Sequence, residues 1–165
     1  MKHLILLRHA KSSWANPEID DFDRALNKRG KRAASDVGTW LRSKGWHPDT
    51  VLCSPARRTR ETLERLQLDT SPDFLDGIYE ATPGTLLAAV QGATGERLLM
   101  VGHNPGIGAL AKILATQAPQ HARFDDYPTA AMTILAFELD AWAHIQPASG
   151  TIVSFLTPHD LAQPG

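Results

Sequence analysis

Residues 3 to 14 read His3-Leu4-Ile5-Leu6-Leu7-Arg8-His9-Ala10-Lys11-Ser12-Ser13-Trp14, an apolar run that stops abruptly at an arginine and a histidine. Consecutive apolar residues bounded by polar ones predict a short strand buried on both faces. A cation and an imidazole placed directly after such a strand lie at the carboxyl edge of a sheet, where open α/β sheets bind their ligands. Ala10 to Ser13 then turn the chain with small or polar, donor-rich residues. The stretch reads as a strand delivering Arg8 and His9 into an anion site. On local pattern alone, an edge strand with a solvated basic end is the alternative.

The same device recurs further along the chain. Asp49 to Cys53 is a second buried strand, running at once into Ser54-Pro55. Arg97 to Val101 is a third, followed by Gly102-His103-Asn104-Pro105-Gly106. Between them, Ala33, Val37, Trp40 and Leu41 recur at helical spacing and predict a helix over 27–43, with Gly45 as its stop signal. Ser54 as N-cap and Pro55 in the first position predict a second helix through Leu66. Thr82 is the expected cap of a third helix over 83–91. Asn104 is the expected cap of a fourth, with Pro105 in its first position, running to about Thr116. Two later strands are expected over 130–139 and 151–156. Asn16 to Arg24 and Asp69 to Asp76 read as loops, Pro119 to Pro128 as an irregular connection, and Pro158 to Gly165 as a loose tail. This alternation predicts an α/β protein, a three-layer α/β/α sandwich with a mostly parallel central sheet. Parallel strands would bring the ends at Arg8-His9, Ser54 and Gly102-His103 to one edge.

Size and composition narrow the classes. With 165 residues, the chain is expected to be a single domain, 1–165, with a real core. The apolar fraction of 42% and charged fraction of 21% are those of a globular protein. A formal charge of −1 supplies no global field toward nucleic acid or membrane, so neither is an expected partner and any anion site must be local. The one cysteine, Cys53, permits no internal disulfide, and the opening apolar run is too short for a signal peptide; a cytoplasmic location is expected.

Two histidines, several arginines and helix starts at one edge suit a dianion, most naturally a phosphoryl group. Arginine holds phosphate through a planar fork. A neutral imidazole can attack phosphorus and carry it covalently, and a second histidine can stabilise the equatorial oxygens. Arg57, Arg58 and Arg60 crowd the start of the second helix, against its dipole, as an anion site would require; a solvated basic face paired with Glu61 and Glu64 is the plainer reading. No P-loop motif is present. His3, His47, His121, His144 and His159 lack metal-ligand spacing, and no metal or cofactor is expected.

At this point a family resemblance appears. Arg8-His9-Ala10, with Ser12 and Trp14, resembles the Arg-His-Gly signature of the histidine phosphatase superfamily, the phosphoglycerate-mutase-like fold. Leu26 to Ala33 resembles the segment that follows it, Ser54 to Thr62 the Ser-x-x-x-Arg-Ala-x-Gln-Thr segment, and Gly102 to Pro105 the segment of the second histidine. Four segments in the right order are a specific match. The short length is most similar to the SixA branch, the phosphohistidine phosphatases. The resemblance implies that His9 is the nucleophile, that Arg8 and Arg58 clamp the phosphoryl oxygens, and that His103 supports the transition state. It also puts Glu80 near the region where many relatives carry a proton donor. Ala10 replaces the usual glycine. Ala15 stands where mutase-like relatives carry a phosphate-contacting asparagine, leaving Lys11, Ser12 and Asn104 as candidate substrate-binding residues. The expected substrate is a phosphorylated protein bearing phosphohistidine, or a small phosphorylated molecule. A phosphohistidine leaves as imidazole, whose pKa of about 6.5 makes protonation easy. A small-ester phosphatase, a non-catalytic phosphate-binding module and a nucleotide binder reading Gly102 to Gly108 are the rivals.

Overall fold

A computed structural model describes residues 1–162 of the chain. Its centre is a six-stranded sheet, with β1 (Lys2–Arg8), β2 (Thr50–Cys53), β3 (Pro72–Phe74), β4 (Arg97–Gly102), β5 (Met132–Phe137) and β6 (Thr151–Leu156) in the order β3-β2-β4-β1-β5-β6. The pairs β3–β2, β2–β4 and β4–β1 are parallel, and β5 runs antiparallel to both β1 and β6. Five strands therefore point the same way, and the sheet is mostly parallel. The helices are α1 (Lys28–Ser43), α2 (Arg57–Leu66), α3 (Pro83–Gln91), α4 (Gly106–Leu114) and α5 (Pro158–Ala162).

β1 shows why the fold has three layers. Leu4, Ile5, Leu6 and Leu7 are all fully buried. Because strand side chains alternate faces, Leu4 and Leu6 join a core with Leu86 and Val90 of α3 and Leu110 and Leu114 of α4. Ile5 and Leu7 join another with Val37 and Leu41 of α1 and Leu63 and Leu66 of α2. Truncating one of these leucines to alanine costs about 2–5 kcal/mol in lost transfer and cavity formation. The run is uninterrupted because each face has its own helical layer.

Several sequence expectations change, among them the N-cap position of α4, which is Pro105 and not Asn104. The stretch 69–76, read as a loop, contains β3, a short edge strand carried by its pairing with β2 rather than by apolar patterning of its own. The start of α2 lies at Arg57, not at Ser54-Pro55; its N-cap position is Ala56, whose side chain has no acceptor to offer, while the Ser54 hydroxyl lies against His103. Pro158 to Ala162, read as part of a loose tail, form α5; Leu161 packs against the core, and residues 163–165 lie outside the described residues. Among the described residues, no helix is long and apolar enough to cross a membrane.

Candidate active site

β1 and β4 are adjacent and parallel, with Arg8 in register with Gly102. His9 and His103 follow those strands at the same edge, and their ring centroids lie 5.3 Å apart. The two imidazoles named from sequence are thus neighbours because two buried parallel strands end together. His9 N–H donates to the Gly102 carbonyl at 3.0 Å, holding that register past the strand ends.

Both rings are almost fully buried, at 7% and 6% exposure. His9 Nδ1 bonds the Ala10 carbonyl at 2.7 Å. A carbonyl only accepts, so Nδ1 carries the proton and Nε2 keeps its lone pair. Burial pulls the His9 pKa down to about 3; the bond to Ala10 works the other way, and His103, Arg58 and Arg8 add to the lowering. His103 is lowered to about 4, mainly by burial and by the charge of Arg58, with Asp21 opposing. At neutral pH both rings are neutral. His103 Nε2 lies 2.7 Å from Ser54 Oγ, while its Nδ1 is buried without a partner.

Arg8 donates from Nη1 to the Tyr127 carbonyl at 2.9 Å, and its Nε is buried and unpaired. Tyr127 sits in the left-handed region at φ +48, with its hydroxyl bonded to the Leu6 carbonyl and to Thr133. That backbone turn and the buried hydroxyl fix the carbonyl that holds Arg8. Arg58 is 6% exposed and is the one arginine of the α2 start that turns inward; Arg57 and Arg60 are exposed. It donates to the Asp21 carbonyl at 2.6 Å and to Asp21 Oδ2 at 2.9 Å, again leaving Nε unpaired. Thr62 links the two halves: Ala10 N–H donates to Thr62 Oγ1, which donates to the Arg58 carbonyl. A buried guanidinium nitrogen without a protein partner is costly. Two such arginines beside two neutral imidazoles form a cationic pocket suited to an oxyanion.

The structure adds residues that sequence reasoning missed. Asp21, from the 16–24 stretch read as a surface loop, receives Arg58, Arg24 at 3.0 Å and the Tyr79 hydroxyl at 2.6 Å. Partial burial opposes ionisation of Asp21, but the Tyr79 and Arg58 hydrogen bonds and the charges of Arg58 and Arg24 outweigh it, and its pKa falls below the usual value. Arg24 is 8% exposed, with Nε and Nη1 buried and unpaired, and stacks 3.2 Å over the exposed Trp14 ring. Tyr79 packs edge-on against His103 at 5.4 Å. The Asp20-Asp21-Phe22-Asp23 cluster was the available signal, but nothing local distinguishes the acid that faces inward.

The remaining sequence candidates lie differently. Glu80 is exposed, at φ +53, without a hydrogen bond or ion pair among the described residues; the adjacent Tyr79 is what reaches the site. Asn104 spends its amide on the protein, donating to the Tyr127 carbonyl at 2.9 Å and accepting from Gly108 N–H at 3.0 Å. It shares the Tyr127 carbonyl with Arg8. Ser12 is buried and bridges to Leu26 through the backbone. Lys11 is exposed; its carbonyl accepts from Asn27 N–H, and its side chain faces a neighbouring cleft.

Fold and site together gather two histidines and two arginines at the carboxyl edge of a mostly parallel sheet. The profile of the histidine phosphatase superfamily (branch 1) matches residues 4–86. An uncharacterised protein of Mycobacterium tuberculosis is 36% identical over 159 residues, covering 92% of this chain and 99% of its own. A candidate phosphohistidine phosphatase SixA from Nakamurella multipartitia superposes with a TM-score of 0.83 at 30% identity, covering 95% of this chain and 96% of that one. Another from Agrobacterium tumefaciens does so at 0.77 and 26%, covering 95% and 98%. The chain belongs to the histidine phosphatase superfamily, in its SixA-type branch.

Proposed function

We propose that this protein is a phosphohistidine phosphatase acting on phosphorylated protein, through a phosphoryl group carried transiently on His9. The observation that carries the reading is the bond from His9 Nδ1 to the Ala10 carbonyl, which leaves Nε2 unprotonated and free to act as nucleophile. In the first step the substrate imidazole takes a proton from solvent on its free ring nitrogen, Nε2 of His9 attacks phosphorus, and the bond from phosphorus to that ring breaks, releasing neutral imidazole. In the second, water attacks the phosphoryl group, the bond to Nε2 breaks, inorganic phosphate leaves and His9 is restored. Arg8 and Arg58 hold the oxygens throughout. His103 acts as hydrogen-bond donor to the charge that builds on them.

Substrate class follows from the leaving group. An alkoxide needs a positioned acid, and the segment expected to supply one offers exposed Glu80 and a tyrosine whose pKa is raised to about 12 by burial and its bond to Asp21. An imidazole ring, with an ordinary pKa of about 6.5, can take a proton from solvent before the bond breaks, and then departs neutral without such help. Buried Cys53 suits a reducing compartment, and the cytoplasm is the location we propose.

The test is phosphate release from a phosphohistidine peptide and an aryl phosphate by wild type and His9→Ala, with acid-labile phosphoenzyme trapped during turnover. Peptide preference, loss of all turnover in His9→Ala and a trapped intermediate are expected. Turnover of the aryl phosphate alone would move the substrate to small esters. No turnover of either would leave a phosphate-binding module.

A further inference from the structure

Beside the candidate site lies a cleft of about 250 Å³, lined by Lys11, Arg29, Arg123, Thr129, Thr157 and His159 among others. Its lining carries four basic side chains and no carboxylate. Arg123 is matched by Asp126, bonded at 3.0 Å. Lys11 and Arg29 are exposed and make no ion pair among the described residues, so they supply the cationic excess.

The sequence around Arg29 points the same way. α1 opens Lys28-Arg29-Gly30-Lys31-Arg32, with no acidic residue in its first turn. Cations there oppose the helix dipole; Gly30 N–H is already taken by the Asn27 side chain at 2.8 Å, so it is the side-chain charges that are left uncompensated. That local inconsistency is resolved when a ligand brings the negative charge.

The cleft is also built. One wall is α5, and its start is pinned: Asp160 Oδ2 accepts from Thr157 N–H at 2.8 Å and from the Thr157 hydroxyl at 3.0 Å. His121 Nε2 lies 2.8 Å from the same oxygen and ties α5 to the 119–127 connection. The other wall belongs to the active site. Tyr127 holds Arg8 and Ala130 N–H donates to the His9 carbonyl at 2.9 Å, while Pro128 and Thr129 between them line the cleft. Lys11 follows His9 by two residues, a distance of at most about 7 Å along the chain. β6 leads into Thr157 at the same sheet edge that β1 ends on.

We propose that this cleft receives carboxylate side chains of an acidic stretch next to the phosphorylated residue of a polypeptide substrate. The inference rests on the reading of that substrate as a phosphorylated protein. Lys11 and Arg29 pair with the flanking carboxylates while the phosphoryl group sits between the histidines. An aryl phosphate has no second anion and does not engage the cleft.

The experiment compares two phosphohistidine peptides, identical except for Glu or Gln on either side of the phosphorylated residue, on wild type and Arg29→Glu. Aryl phosphate turnover is the control for folding and chemistry, since Arg29 is exposed and outside the phosphoryl pocket. Wild type is expected to prefer the Glu peptide about five- to tenfold in kcat/KM, the scale of two partly exposed ion pairs. The preference should reside in KM and shrink with added salt. Arg29→Glu should erase it while leaving aryl phosphate turnover unchanged. Equal kcat/KM for the two peptides on wild type, or an equal loss on both in the variant, would overturn the proposal. If wild type turns over the aryl phosphate but neither peptide, the phosphohistidine reading has failed. The same pair made with phosphoserine then decides the cleft: a Glu preference lost in Arg29→Glu supports it, and no preference overturns it.

Discussion

Asp21 and Arg58, 37 residues apart in sequence, are joined by two hydrogen bonds, Nη1 to the Asp21 carbonyl at 2.6 Å and Nη2 to the Asp21 carboxylate at 2.9 Å. An aspartate from an acidic loop thereby orients the arginine proposed to hold the phosphoryl group, and balances part of its charge. If Asp21 acts through Arg58, their effects on catalysis overlap. Arg58→Ala should lower kcat/KM for an aryl phosphate by about 10²–10³. Asp21→Ala, losing a charge-assisted bond, should lower it by about 10- to 100-fold. The double variant should be no worse than Arg58→Ala. Losses that multiply would show that Asp21 works independently of Arg58.

Ser54 is the partner of His103, at 2.7 Å, and Ala56 N–H donates to the same hydroxyl at 3.3 Å. With its oxygen accepting from Ala56, the hydroxyl can donate to Nε2, which puts the ring proton on Nδ1, an atom without a partner in the protein. Ser54→Ala removes that control of the tautomer but leaves the arginines in place. The expected result is a fall in kcat of about tenfold with KM nearly unchanged. A rise in KM at constant kcat would place Ser54 in substrate binding instead.

The histidines set a pH signature on stability. The folded-state pKa values of His9 and His103 lie near 3 and 4, both below the unfolded value of 6.5. Between those limits the unfolded chain binds protons that the folded protein refuses, so stability rises with pH and falls on acidification from pH 6.5. Above pH 6.5 both states are neutral at these residues and the effect is gone. Thermal melts of the ligand-free protein from pH 4.5 to 6.5, above most carboxylate titration, should show Tm climbing with pH. His103→Asn should flatten the slope. An unchanged slope would mean that His103 is not the group responsible.

Gly30 gives a steric prediction. A Cβ added there would stand 2.1 Å from the Lys11 carbonyl oxygen, a backbone atom that cannot swing aside. Gly30→Ala should therefore push the start of α1 away from the turn after His9, despite the better helix propensity of alanine. A loss of about 1–3 kcal/mol in denaturant unfolding is expected, with reduced turnover, since the same turn carries His9. Unchanged stability would mean that the α1 start moves freely relative to that turn.

Sequence alone determined the parts governed by local burial. Leu4 to Leu7 had to be a strand covered on both faces, because four adjacent apolar side chains alternate direction and each side needs its own layer. The 3.6-residue spacing of α1 and the Thr82-Pro83 start of α3 are legible in the same local way, and the histidines that directly follow β1 and β4 put His9 and His103 at one edge. Arg58 was separable from Arg57 and Arg60 only through its place in the family pattern, and it is the one that is buried. Tertiary structure decided what no local pattern records: which loop acid meets Arg58, that Tyr79 and not Glu80 reaches the pocket, that Ser54 serves His103 instead of capping α2, and that Asn104 braces the Tyr127 carbonyl. Each of these is a hydrogen bond between residues distant in the chain. Periodicity reports which face of a segment is buried, whereas the partner of a polar group depends on how separate segments pack together. β3 and α5 escaped for the same reason, being too short for a period and held in place by neighbours that only the fold supplies.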